Sequence, residues 1–145
     1  MDNVVVRKLQ VADAHDIGMI FAAITQTPAK PDFVRMIEEQ AGKDEDASFV
    51  AECRGKVVGF MISYMISGGF GIEKSAWIPQ LGVSPDFMGK GIGKMLGEHD
   101  FRHHKAEGIE NVYTSVRWYD ADVLSFFKTL GFDRSEFINL RKGVD

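Results

Sequence analysis

Cysteine is almost missing from this chain. Only Cys53 among 145 residues carries a thiol, so no intrachain disulfide can form and a secreted disulfide framework is excluded. Its setting, Phe49-Val-Ala-Glu-Cys53, marks a small buried side chain and not a nucleophile. No apolar run approaches the roughly 20 residues of a membrane span, and the one after Met1 is too short for a signal peptide. A cytoplasmic location is the expectation. A surplus of positive charge is lacking too: 17 Lys and Arg face 21 Asp and Glu, giving a net charge of −4, and no basic run is dense enough to neutralise a nucleic-acid backbone. Neither nucleic acid nor membrane is expected as a partner. With no internal repeat, linker or low-complexity stretch, residues 1–145 read as one domain, long enough to bury a core without metals or disulfides.

What is present is the balance of an ordinary globular chain, 45% hydrophobic and 26% charged. Val4 to Leu9 predicts a strand. Asp13 is placed to cap a helix whose Ile17, Ile20, Phe21 and Ile24 recur at helical spacing and which stops before Pro28. Pro31 and Asp32 open a second helix, with Phe33, Met36, Ile37 and Ala41 on one side and Gly42 at its end. The acidic Lys43–Asp46 is a solvated turn. Ala47–Cys53 and Val57–Ile66 form a hairpin around Arg54-Gly-Lys56, and Ser67–Gly71 a flexible loop. Ser75–Val83 is the next strand, followed by a helix running to about Glu107 and stopped by Gly108. Strand Asn111–Trp118, helix Asp122–Leu130 closed by Gly131, and a last strand Ser135–Lys142 complete the chain. Such an order predicts a mixed α/β sandwich around one central sheet.

Between the fourth strand and its helix lies Gly82-Val-Ser-Pro-Asp-Phe-Met-Gly-Lys-Gly-Ile-Gly-Lys-Met-Leu96, with glycines alternating at 89, 91 and 93. A strand that turns directly into a helix leaves the helix's first amides without intrahelical partners, at its electropositive end. Absent side chains at 89, 91 and 93 let the backbone curl and a phosphate approach those amides, with Lys90 and Lys94 at the rim. A P-loop is excluded because no Ser or Thr follows a Gly-Lys pair. A dinucleotide fingerprint is excluded because its third glycine would fall on Lys94.

The stretch Leu81–Leu96 resembles the acyl-CoA binding motif of the GNAT superfamily of N-acyltransferases, Gln/Arg-x-x-Gly-x-Gly/Ala, with Gly91 and Gly93 at the final glycines and Met88 at the polar leading position. The resemblance extends to Asp120, where the family usually has Asn, and to Phe126-Phe-Lys-Thr-Leu-Gly-Phe132, where it commonly has Phe-Tyr-x-x-x-Gly-Phe. It implies a central, mostly antiparallel sheet splayed between strands 4 and 5, with helices on both faces. Acetyl-CoA is the implied co-substrate, without a metal, its pantetheine slotted between the parted strands. The implied cofactor-binding residues are Leu81, Gly82 and Val83, then Met88, Gly89, Lys90, Gly91, Ile92, Gly93 and Lys94, with Asp120, Phe126 and Phe127. Gly82 is the expected bulge residue.

The implied reaction is direct attack of a primary amine on the thioester, the amine belonging to a small molecule, a peptide N-terminus or a lysine. A main-chain N–H near Leu81–Val83 serves as oxyanion donor. The tyrosine that often protonates the departing thiolate is Phe127 here, so Tyr119, Tyr113 or water must stand in. Glu73 is the first candidate for the base and Asp120 the second, so Glu73, Tyr119 and Asp120 form the candidate catalytic set. An acyl-CoA-binding regulatory module without turnover is the alternative, motivated by Phe127 and Met88.

His99 and His103, in "HDFRH", have the spacing of a two-histidine metal site. They share a stripe with Ile92, Leu96 and Ala106, so packed histidines are expected and no metal site; Phe101 is expected on the outer side. His15, on the first helix, is a surface residue near the expected acceptor entrance. Only thirteen residues follow Phe132, enough for one strand. The exposed sheet edge that results invites a homodimer through the C-terminal region.

Overall fold

Side chains alternating between two covered faces build the sheet. In the computed structural model, which describes residues 3–43, 47–67 and 74–145, five strands run β1 (Val4–Lys8), β2 (Phe49–Cys53), β3 (Lys56–Ile66), β4 (Ser75–Val83) and β5 (Val112–Thr114). Val50, Phe60 and Ile62 point to one face, where they meet Ile17 and Ile20 of helix α1 (Ala14–Thr25) and Ile37 of α2 (Pro31–Ala41). Phe49, Ala51 and Met61, their sequence neighbours, point to the other face, against Ile92 and Leu96 of α3 (Ile92–Ala106). Burial on both faces explains why β2 and β3 are nearly continuous apolar runs. Cys53 is buried on the α3 face.

The strands lie in the order β1-β2-β3-β4-β5; the first three pairings are antiparallel and β4–β5 is parallel, joined by the α3 crossover. Helix α4 (Ala121–Thr129) follows β5 and packs Phe126 and Leu130 close to Gly93 and Gly97 of α3. The expected mixed sheet with helices on both faces is therefore the fold.

Several expectations are corrected. The bulge in β4 is not at Gly82: Phe60 pairs with Gly82 in unbroken register, and the ladder slips between Ile62↔Gln80 and Tyr64↔Trp77, so Ile78 and Pro79 together oppose Ser63. Proline brings no amide to a ladder, and a bulge is one place where a sheet tolerates it. Gly82 is bare because a Cβ would lie 2.8 Å from Phe60 Cε1 and 3.0 Å from Ile24 Cδ1. Strand 111–118 shrinks to Val112–Thr114, and residues 135–142 form no strand: they lie against β5 and Ser115 through side chains, with Phe137 on Tyr113 and Asn139 Nδ2 donating to Ser115 Oγ at 3.1 Å, and not through a backbone ladder. Phe101 is not on an outer face; it is half-buried and packs against Phe132. The Lys43–Asp46 turn and the Ser67–Gly71 loop fall largely outside the described residues, and Glu73 lies wholly outside them.

Asp13 does not cap α1. Its carboxylate instead accepts from Arg7 Nη1 at 2.8 Å, Arg7 Nη2 at 2.9 Å and the Gln10 N–H at 2.8 Å, while Arg7 Nε donates to Glu52 at 2.6 Å. Burial pushes the Asp13 carboxyl up, but the Arg7 and Gln10 donors outweigh it and hold it below the usual carboxylate range. A depressed carboxyl contributes stability that is present above the unfolded-state value near 3.9 and is lost as pH falls through the folded value. With Arg7 still 29% exposed and so partly screened, Asp13→Asn is expected to lose about 1–2 kcal/mol at pH 7. The gap from wild type should narrow below about pH 4, as urea unfolding at pH 7 and pH 3 would measure.

Candidate functional site

The β4–β5 ladder joins only Ala76–Ile78 to Val112–Thr114. At its last pair the Thr114 hydroxyl donates to the Ile78 carbonyl at 2.7 Å, so a side chain ends the ladder where the Pro79 bulge begins. The strands part from there. On the other side of β4, the Ser84 N–H donates to Val58 O of β3 at 2.8 Å. Because N–H and C=O groups alternate along a strand, those of Leu81 and Val83 point away from β3, into the gap that β5 has left.

The gap is the mouth of a cleft of about 690 Å³. Its β4 wall is Ile78 to Val83, its far wall Thr114 and Ser115, and α4 contributes Asp122, Val123, Phe126, Phe127 and Thr129. Phe87, Met88, Gly89, Gly91, Ile92, Gly93 and Lys94 close one end, and Ile24 of α1 touches the rim. Leu81, Gly82, Val83, Met88, Gly89, Gly91, Ile92, Gly93, Lys94, Phe126 and Phe127, all expected at a cofactor site, thus line one cavity.

A 3₁₀ turn at Pro85–Phe87 leads from β4 to this end. Gly89 (φ 78°) and Gly91 (φ 81°) both adopt left-handed backbone, and a Cβ on either would meet nothing within 4 Å. Their bareness therefore serves conformation and leaves open space over the main chain. Gly93 differs: its Cβ would lie 2.8 Å from Phe126 Cε1, so this glycine lets α4 pack on α3. Gly91 precedes α3 without a capping side chain, and the first intrahelical bond is Met95 N–H to Gly91 O at 3.0 Å. The amides of residues 89–94 accordingly have no acceptor among the described residues. They converge at the positive end of a fifteen-residue helix, with Lys94 beside them. Lys90 is turned over the Phe87 ring, 5.1 Å from its centroid, and does not line the cleft.

Other expected site residues lie elsewhere. Tyr119 is 79% exposed, its hydroxyl held by Arg117 Nη1 at 2.9 Å, and it lies outside the cleft lining. Asp120 caps α4, accepting the Val123 N–H at 3.1 Å, and also lies outside the lining. Phe127 is 4% exposed and packs edge-on to Phe126 and Phe132. Among the described lining residues only Asp122 and Lys94 are titratable. Ile24, Pro79, Thr114, Asp122 and Thr129 escaped sequence reasoning; a proline inside a strand pattern was the available signal for the bulge. His99 and His103 do not share the fully buried stripe, which runs instead through Asp100 and His104; they are half-buried and pack edge-on to Phe49 at 5.4 and 6.0 Å.

An apolar slot edged by free strand amides, ending at a ring of helix-terminal amides, suits a long thin molecule with a polyanionic head. A protein-family model described as the acetyltransferase (GNAT) family matches residues 15–132. Relatives include a mycothiol acetyltransferase of Amycolatopsis mediterranei, 34% identical over 106 residues, covering 71% of this chain and 35% of the relative. An uncharacterised N-acetyltransferase of Methanocaldococcus jannaschii is 36% identical over 98 residues, 66% of this chain and 43% of the relative. The chain thus spans between a third and a half of the length of these two relatives. Among solved structures, an aminoglycoside N-acetyltransferase in complex with CoA superposes with a TM-score of 0.82 at 17% identity, covering 99% of this chain and 96% of that one.

Proposed function

This chain belongs to the GNAT acetyltransferase family, and from that premise we propose that it transfers the acetyl group of acetyl-CoA to a primary amine of a small molecule, a peptide N-terminus or a lysine. The observation that carries the proposal is the continuity of the free amides at 89–94 with the parted β4 edge in one cleft. Donor residues are those of the cleft: the amides of Gly89 to Lys94 for the diphosphate, the Leu81 and Val83 edge for pantetheine, Val123, Phe126 and Phe127 as the apolar wall. The Lys90 side chain and Asp120 lie outside the lining and are left out of the donor set.

Amine attack on the thioester carbonyl forms the C–N bond, and collapse of the adduct breaks the C–S bond to release the thiolate. A main-chain N–H of Leu81 or Val83 is the donor we assign to the developing oxyanion, a contribution of about 3–4 kcal/mol. Alignment of the two reactants in the slot lowers the entropic part of the barrier. Phe127 offers no proton, so the thiolate is protonated by water or by Tyr119 after loop movement. Glu73 is the base we assign, with Asp120 second.

Thiol release from acetyl-CoA across a panel of amines tests this reading, and turnover with at least one small amine is the expected result. Tight CoA binding without turnover on any amine would favour a regulatory acyl-CoA-binding module. No binding of CoA would overturn both.

We further propose a homodimer through the C-terminal region, located in the cytoplasm. The outer edge of β5 has no strand hydrogen-bonded to it among the described residues, only the irregular stretch whose Phe137 packs on Tyr113. A groove of about 860 Å³ opens between Asn111–Tyr113 and Phe132–Glu136, and Ile138, Leu140 and Val144 are 76%, 83% and 87% exposed. A second copy's C-terminal segment would pair there and cover those side chains. Light scattering after gel filtration is expected to give twice the monomer mass for wild type and a monomer for Leu140→Asp.

A further inference from the structure

Ser63 of β3 lies opposite the β4 bulge, facing Ile78 and Pro79, and just past the end of the β2 pairing at Phe49↔Met61. Its main chain is satisfied by a side chain: Ser48 Oγ accepts the Ser63 N–H at 3.0 Å and donates to the Ser63 carbonyl at 3.1 Å. Its own hydroxyl points toward α3, lying 2.6 Å from the Ala47 carbonyl, 2.9 Å from Asp100 Oδ1 and 2.8 Å from His104 Nε2. Asp100 Oδ2 and His104 Nε2 are 3.4 Å apart. Ser48, Ser63, Asp100 and His104 are all between 0% and 2% exposed. Beyond that ion-pair contact, Asp100 Oδ2 and His104 Nδ1 have no hydrogen-bond partner among the described residues.

So dry a Ser–Asp–His cluster cannot be nucleophilic machinery, because no substrate reaches it. Stability does not explain it either. Buried ionisable pairs are often no better than well-packed apolar residues, and unpartnered buried polar atoms are a net loss. Its placement does offer an explanation. Asp100 lies eight residues along α3 from Ile92, about 12 Å along a rigid helix, so a shift at Asp100 is a shift of the amides at 91–94. Ser63 lies across from the two residues that begin the parting of β4. The cluster therefore joins, by side chains alone, the element that presents the anion-binding amides to the strand that sets the open β4 edge.

We infer that Ser63 is a positioning residue, held by Ser48, Asp100 and His104, which fixes the distance between the two halves of the coenzyme A cleft. This rests on the cleft's assignment to CoA above. The two halves recognise different pieces: the α3 amides an adenosine 3′-phosphate 5′-diphosphate, the β4 edge a pantetheine. A lost tether leaves each piece its own contacts, but the intact molecule no longer satisfies both at once.

The test is to titrate wild type, Ser63→Ala and Asp100→Asn with CoA, with adenosine 3′-phosphate 5′-diphosphate and with pantetheine, following amide shifts by NMR. Asp100→Asn is isosteric and guards against loss of fold in Ser63→Ala. The expected result is CoA binding weakened about tenfold in both variants, the equivalent of one hydrogen bond, with each fragment bound within about twofold of wild type. Unchanged CoA affinity, or fragment affinities that fall in parallel with it, would overturn the inference. Unfolding of both variants would make the cluster a stability element and overturn it as well. Wild type that binds neither CoA nor its fragments would instead remove the CoA assignment itself.

Discussion

Gly91→Val is expected to weaken CoA binding by about 100-fold, or about 3 kcal/mol, while lowering the melting temperature by only several degrees. Two effects combine. A β-branched residue at φ 81° must either strain or flip the peptide, at about 1–3 kcal/mol. A flipped peptide would withdraw an amide from the diphosphate, whose charge-assisted hydrogen bonds contribute about 1.5–3 kcal/mol each. The fold should survive the change because a Cβ at 91 meets nothing within 4 Å, so the positive φ is the only source of strain. Calorimetric titration with CoA beside a thermal melt separates the two readouts. Gly93→Val is the contrasting case: its Cβ would press on Phe126, so affinity and melting temperature should fall together. Equal affinity of Gly91→Val and wild type would remove the phosphate site from this loop.

Phe60→Ala is expected to destabilise the fold by about 3–5 kcal/mol and to lower the melting temperature by about 10 °C. The Phe60 side chain is fully buried, in the core with Ile17, Ile20 and Ile37, and nothing nearby can collapse into the hole without moving α1. Against a total of about 5–15 kcal/mol for a domain of this kind, that loss is large. The ring also lies beneath Gly82, where its edge already excludes a Cβ. Truncation should therefore loosen β4 at the open edge and weaken CoA binding as a second effect. Circular-dichroism melts decide the first point, and a drop under 3 °C would contradict the packing described.

Local rules reached far into this chain. The glycine loop was legible because punctuating residues and their spacing act within a few positions, and eleven of the thirteen residues assigned to the cofactor line one cleft. Features that depend on a partner strand were not. Gly82 is the natural place for a bulge in β4, but the register slips at Ile78–Pro79, opposite Ser63 of β3. The apolar residues of 135–142 reach β5 through side chains, Phe137 on Tyr113, and make no backbone ladder with it. Helix phase is harder to read: Leu96 turns inward as its period requires, whereas Asp100 and His104, not His99 and His103, complete the buried stripe. Bare Gly93 and Gly97 give no side-chain signal to anchor that phase, although they face α4 closely. Ser63 lies 37 and 41 residues from its two α3 partners, beyond any periodicity.

The buried Cys53 thiol, 6% exposed and walled in by the sheet and α3, gives the molecule a built-in clock. An aromatic disulfide reagent can reach it only when the layers separate. With one thiol per chain, the rate of colour release counts those openings directly, and any ligand that holds the native state closed will slow the count.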